Sequence, residues 1–175
     1  MTTYALADES KRSDYVLAVA LLRRGDAAAA RRAIRALHLP GQSRLHMVKE
    51  RASRQRAILS TIARTPGTVG IYRVGRGTND RERRRRCLDR LVRDLARRGE
   101  THLVLELDET LVEPDRAALY AAARHARCQD RLRYTHARAA TEPLLAIPDA
   151  VAWAWSQGGD WRRRTSGIVT LVVDA

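Results

Sequence analysis

The sequence predicts an α/β protein, a mixed β-sheet with helices packed on its faces. Three observations lead there. Apolar runs of strand length recur along the chain: YVLAVALL at Tyr15–Leu22, HLVLEL at His102–Leu107 and IVTLVV at Ile168–Val173. Such runs suit strands buried on both faces. Between them lie longer segments with helical apolar spacing, bounded by capping residues or by Pro and Gly. With 175 residues and 45% hydrophobic content, the chain is long enough to bury about 70% of its unfolded surface without disulfides or a structural metal.

The elements follow in order. Thr3–Ala7 (TYALA) is a strand that runs into Asp8-Glu9-Ser10, and a polar turn through Lys11–Asp14 joins it to Tyr15–Leu22 as a hairpin. Asp26 is placed to cap a helix over Ala27–Leu37, which Pro40-Gly41 ends. Leu45–Val48 is a short strand candidate. Glu50–Arg64 is a helix with Ile58, Leu59 and Ile62 inward, stopped by Pro66-Gly67. Thr68–Val74 is the next strand. After Gly75-Arg76-Gly77, one of Thr78, Asn79 or Asp80 caps a long helix to Arg98, with Gly99 at its C′ position. His102–Leu107 has strong β propensity. Pro114 suits the first turn of a helix over Asp115–Arg127. Leu132–Ala137 is a further strand candidate, Pro148 starts a helix through Trp155, and Ile168–Val173 is the final strand. No repeat, linker or shift of composition divides the chain, so residues 1–175 read as a single domain.

Lys+Arg number 33 against 20 Asp+Glu, a net charge of +13. Only Lys11 and Lys49 are lysine, leaving 31 arginines; the preference for arginine matches GC-rich coding, but the excess of base over acid is not explained that way. Such a field favours polyanionic partners. No apolar run approaches the roughly 20 residues of a membrane span. The acidic start MTTYALADES does not read as a signal peptide. Cys87 and Cys128 form no CxxC, which excludes disulfide scaffolds and zinc ribbons and favours a reducing cytoplasm.

In so basic a chain the acids at element ends stand out. Asp8 shares a strand face with Tyr4 and Leu6 by alternation. Glu50 opens a helix, Glu106 lies inside HLVLEL with Asp108 following on the same face, and Asp149 sits in the first turn of IPDAVAWAW. If Asp8, Glu50, Glu106 and Asp149 converge, their repulsion calls for cations. Hard oxygen ligands select Mg²⁺ or Mn²⁺, and two such ions about 4 Å apart cleave phosphodiesters. Each acid also has a plain alternative: macrodipole partner for Asp149, turn residue for Asp8, first-turn acid for Glu50, and a solvent-facing or arginine-paired residue for Glu106.

YALADES followed by DYVLAVALL, with LLAIPDAVAWAW near the end, resembles the uncharacterised bacterial RNase H-like domains that open with a Tyr-x-x-x-Asp-Glu-Ser hairpin. The resemblance implies an RNase H-like mixed sheet with helices on both faces. It further implies a two-metal nuclease acting on RNA or DNA: Asp8 and Asp149 as metal ligands, Glu50 or Glu106 completing the site, and Glu9 and Asp108 behind them. Three departures are visible. TVGIYRVG has no acid where RNase H proper carries one on its fourth strand, Lys11 stands where these domains commonly have Gly, and Pro148 replaces a small residue before the helix Asp. The missing fourth-strand acid favours the alternative of a non-catalytic nucleic-acid-binding member of the same fold. An interaction module for an acidic protein is a third reading.

Segment 81–98, RERRRRCLDRLVRDLARR, carries an apolar face (Cys87, Leu88, Leu91, Val92, Leu95) and a stripe of Arg83, Arg86, Arg90, Arg93 and Arg97. Five aligned guanidiniums extend about 20 Å, a track for nucleic acid phosphates; the alternative is a solvated face paired to Asp89 and Asp94. The remaining signals are weak. Gly75-Arg76-Gly77 lacks the other residues of a phosphate loop, Cys87 faces the core, and the five histidines show no metal-binding spacing.

Overall fold

A computed structural model describes residues 2–99 and 101–175. These form one six-stranded sheet in the order β5-β4-β1-β2-β3-β6. The strands are β1 (Thr3–Ser10), β2 (Tyr15–Arg23), β3 (Thr68–Val74), β4 (Thr101–Glu106), β5 (Leu132–Ala137) and β6 (Val169–Asp174). β1, β2 and β3 form an antiparallel meander, β4 joins β1 in parallel, β5 joins β4 in parallel, and β6 joins β3 in parallel. The helices are α1 (Ala27–Arg35), α2 (Ala52–Ile62), α3 (Asp80–Leu95), α4 (Val112–His125), α5 (Ala146–Gln157) and α6 (Gly159–Arg163). Among the described residues no helix is long and apolar enough to cross a membrane.

The unbroken apolar run of β2 is explained by two cores. Val16, Ala18, Ala20 and Leu22 face α1, α2 and α5, packing with Ile34, Ile58 and Val151. Tyr15, Leu17 and Val19 face α3 and α4, packing with Leu88, Leu91 and Leu119. β1 obeys the same alternation: Leu6 points to the first core, Ala5 and Ala7 to the second. Two residues on, this parity sends Asp8 to the α5 face and Glu9 to the α3 face.

Local chemistry sets the boundaries. Asn79 caps α3 by accepting from the Glu82 N–H at 2.9 Å, whereas Asp26 makes no side-chain cap bond to α1. Gly99 closes the segment after α3 at φ +80°, a region open to glycine. Helix α5 begins at Ala146, two residues before Pro148; a proline in the first turn forfeits no helical bond.

The strand expected at Leu45–Val48 is instead a short 3₁₀ turn over Met47–Lys49. Leu45 and Met47 are buried as a strand pattern requires, but side chains take the backbone groups a neighbouring strand would have used. The Met47 N–H donates to Asp149 Oδ2 at 3.1 Å, and Gln55 Nε2 donates to the Met47 carbonyl at 2.8 Å. Glu50 lies in the extended residues just before α2, not in its first turn.

Candidate acidic site

Asp8 is carried to the C-terminal end of β1, beside the C-terminal end of parallel β4, where Glu106 is the last residue. Asp149 comes from the first turn of α5, which packs across β1 and β2. It is the one charged residue in AIPDAVAWAWSQ. Two distant segments thus bring the Glu106 and Asp149 carboxylates into electrostatic reach of Asp8. Asp8 is only 8% exposed. Burial foremost, then the charges of Glu106 and Asp149, push its carboxyl well above the usual range, and Glu106 also lies within hydrogen-bonding reach. One Asp8 oxygen accepts from the Glu9 N–H at 2.8 Å, which fixes the carboxylate at the strand end.

Two basic residues from the segment between α1 and α2 complete the surroundings. Arg44 Nη1 donates to Glu106 Oε1 at 2.8 Å, and His46 Nδ1 lies 3.7 Å from Asp149 Oδ1. From sequence alone His46 reads as a surface or satisfied histidine, and Arg44 as one arginine among many. Neither carries a spacing signal, since both reach the acids through a loop.

The other expected residues are placed elsewhere. Glu50 accepts from Arg54 Nε at 2.8 Å and from Gln42, and is not brought to Asp8. Glu9 points through the opposite face, to Lys11 and Arg84. Asp108 lies beyond the end of β4 in an Asx turn, accepting from the N–H and hydroxyl of Thr110. Those bonds hold its carboxyl below the usual range.

Residues without a role in the sequence reading form two further anchors. Glu142, 8% exposed, accepts from Arg31 Nη2 at 2.6 Å, Tyr4 OH at 3.1 Å and the Leu144 N–H at 3.1 Å. On the other face, buried Arg84 donates to Asp115 Oδ1 at 2.6 Å and Oδ2 at 2.8 Å, to Tyr15 OH at 3.1 Å and to Glu9. His136 Nε2 lies 2.9 Å from Asp115 Oδ2. A signal for this group exists in the sequence: Arg84 stands one turn before Leu88 on the apolar stripe of α3, and Asp115 occupies the same place before Leu119 on α4.

The arginine stripe of α3 is laid out along the helix, but with carboxylates beside it. Arg83 pairs with Asp80, Arg90 and Arg97 with Asp94, and Arg93 with Asp89, while Arg86 donates to the Ala175 carbonyl. The apolar positions of the helix are all buried, Cys87 included.

Divalent cations suit the acids in kind: three carboxylates offer hard oxygens, and a buried carboxyl crowded by like charges is what such a cation relieves. As the side chains stand, no group of three or more His, Cys, Asp or Glu among the described residues is arranged to hold a metal ion. Arg44 occupies one Glu106 oxygen, so a metal at this site takes that oxygen only after Arg44 turns away.

No family model matches the chain, and no curated protein matches it. Solved structures do. A chain from the PCNA:RNase HII complex of Archaeoglobus fulgidus matches with a TM-score of 0.54 at 13% identity, over 87% of this chain and 70% of that one. A mutant of Bst-RNase HIII gives 0.49 at 13% identity, over 86% of this chain and 50% of that one. RNase H1 from the halophilic archaeon Halobacterium salinarum NRC-1 gives 0.42 at 13% identity, over 82% and 90%. The mixed six-stranded sheet flanked by helices, together with the first of these likenesses, establishes that the chain has the RNase H-like fold.

Proposed function

We propose that this protein is a metal-dependent nuclease hydrolysing phosphodiester bonds in RNA or DNA, and a divergent relative of the bacterial RNase H-like domains that open with an Asp-Glu-Ser hairpin. The observation that carries the reading is Asp8, a buried carboxyl crowded by Glu106 and Asp149 from remote parts of the chain. Burial of a charge among like charges is costly and marks functional sites. Asp8, Glu106 and Asp149 would hold Mg²⁺ or Mn²⁺, two ions in the full arrangement. Bound there, such ions supply a nucleophilic water at neutral pH and stabilise charge on the leaving oxygen. The protein's own part is to fix Asp8 through the Glu9 N–H, to orient Asp149 through the Met47 N–H, and to offer His46 as a proton carrier beside Asp149.

The test is cleavage of end-labelled RNA, single-stranded DNA and RNA–DNA hybrid with Mg²⁺ or Mn²⁺. Asp8→Asn, Glu106→Gln and Asp149→Asn are each expected to lower the rate at least ~100-fold, the scale of removing a group that stabilises transition-state charge. Glu50→Gln is expected to leave the rate within about threefold, because Glu50 pairs with Arg54 and Gln42. Cleavage that survives Asp8→Asn overturns the assignment.

One observation favours a second reading, a non-catalytic nucleic-acid-binding protein of the same fold. Arg44 on Glu106 supplies positive charge to the acids from within the chain. Binding that weakens steeply with salt, with no cleavage under either metal, selects this reading. Failure to bind nucleic acid at low salt would point to an acidic protein partner.

A further inference from the structure

Most of the arginine stripe on α3 is paired to acids; another surface carries cations that are not. A groove of about 870 Å³ lies between the start of α1 and the β4–β5 edge of the sheet, lined by Tyr4, Arg24, Arg31, His102, Arg131 and Arg133 among others. Arg24, Arg131 and Arg133 are exposed and have no acidic partner among the described residues. Arg31 is bound to Glu142, and Asp130 is the remaining acid on the lining. Burial first, and then the charges of Arg24 and Arg133, hold the His102 imidazole below its usual range.

The strand register ties this groove to the acids. Tyr4, His102 and Arg133 are direct cross-strand neighbours on β1, β4 and β5. Two residues on come Leu6, Val104 and Thr135; two further come Asp8 and Glu106. Alternation puts all of these on one face of the sheet. Arg133 in that row and the acid pair are therefore four residues apart along parallel strands, about 13 Å at roughly 3.3 Å per residue, with Leu6 and Val104 buried in the core between them. That distance is about four base steps of a duplex, at roughly 3.4 Å each.

We propose that this groove binds the phosphate backbone of a nucleic acid strand whose continuation reaches Asp8 and Glu106. The inference rests on the nucleic-acid reading above and deepens it by moving the phosphate contacts from the α3 stripe to the β1–β4–β5 face. The reason is the cost of access. An arginine already bonded to a carboxylate gives up that bond to take a phosphate, whereas Arg24, Arg131 and Arg133 give up only water. Tyr4 adds ring surface to the lining of the groove.

The experiment measures anisotropy of a labelled 20-nucleotide strand, as RNA, DNA and hybrid, in EDTA. Wild type is compared with Arg131→Glu combined with Arg133→Glu, and with Arg93→Glu combined with Arg97→Glu on α3. The groove variant is expected to bind at least ~10-fold more weakly at low salt, with the slope of log K against log[salt] reduced by about two, one for each phosphate left without its arginine. The α3 variant is expected to stay within about threefold of wild type, since its arginines are already paired. Equal or larger loss in the α3 variant, or wild-type affinity in the groove variant, overturns the proposal. So does a wild type that ignores nucleic acid and binds polyglutamate. Thermal melts check that both variants fold; if the groove variant does not, Arg131→Gln with Arg133→Gln replaces it. Binding is read without metal, so absence of cleavage in the wild type strikes the catalytic reading and leaves the groove standing.

Discussion

Asp8 and Glu142 are both buried carboxyls at 8% exposure, and their surroundings drive them in opposite directions. Around Asp8, burial and the charges of Glu106 and Asp149 act together, and its carboxyl is raised. The folded state then holds the proton more tightly than the unfolded chain, so ionisation costs stability as pH rises above the ordinary aspartate range. Asp8→Asn removes that cost. It is expected to stabilise the protein at pH 7 by about 0.5–2 kcal/mol, the usual scale for relief of a functional strain, with the gain vanishing at acid pH where Asp8 is neutral in both states. Urea melts at pH 7 and pH 3.5 check this; a variant less stable than wild type at pH 7 would show that Asp8 is well compensated. Around Glu142, burial alone would raise the carboxyl, but the hydrogen bonds from Arg31 and the Leu144 N–H outweigh it and hold it below the usual range. Its contribution is then present above the unfolded carboxylate value and is lost as pH falls through the folded one. Glu142→Gln is expected to cost about 2 kcal/mol at pH 7, the scale of a hydrogen bond to a charged group. The gap to wild type should close on acidification, and a gap constant with pH would show that the lost interaction is not ionic.

At the scale of elements, α3 shows what the sequence made legible and what it did not. Its apolar stripe at Cys87, Leu88, Leu91, Val92 and Leu95 is readable from spacing alone, because hydrophobic burial follows the 3.6-residue period. β2 is readable for a similar reason, since a strand between two helical layers has to be apolar on both sides. Charge pairing is not periodic. Arg84 and Asp115 sit on apolar stripes, yet which acid meets which arginine depends on how α3 and α4 dock. The segment Leu45–Val48 misled for a related reason: alternating burial suits a strand, but Asp149 and Gln55 take its backbone groups. The convergence of Asp8 and Asp149 could be anticipated only through resemblance, whereas Arg44 and His46 arrive by a loop with no pattern. The Arg84 cluster gives the element-scale prediction. Arg84→Ala leaves Asp115, 1% exposed, without its arginine, and Glu9 with Lys11 alone. The expected loss is about 3–5 kcal/mol, the cost of stranding a buried charge. Combining Arg84→Met with Asp115→Leu should cost less than Arg84→Ala, because the apolar pair removes both the charge and its need for a partner. Urea melts of the three proteins decide it; a double variant as unstable as the single would mean that Glu9 and His136, not Asp115, carry the dependence on Arg84.

For the molecule as a whole, the +13 net charge and the surface ion pairs respond to salt with opposite sign, and magnitudes decide which governs. The pairs along α3, Arg85–Glu82, Arg93–Asp89 and Arg97–Asp94, are exposed and worth roughly 0.2–0.5 kcal/mol each, so screening them costs little. The buried Arg84–Asp115 pair is hardly screened at all. Against these stands the mutual repulsion of the excess cations, which acts over distances beyond the screening length of about 10 Å at 0.1 M salt and so is strongly relieved by it. Arg24, Arg131 and Arg133 concentrate part of that repulsion in one groove. The thermal midpoint is therefore expected to rise by a few degrees between 20 mM and 300 mM sodium chloride, with sulfate more effective than chloride at equal ionic strength if the groove takes up the dianion. Arg131→Gln with Arg133→Gln should shrink both the rise and the sulfate advantage, since it removes two of the cations that generate them. A midpoint that falls with salt would mean that the ion pairs outweigh the net repulsion, and that the positive charge is better compensated than the count of 33 bases to 20 acids implies.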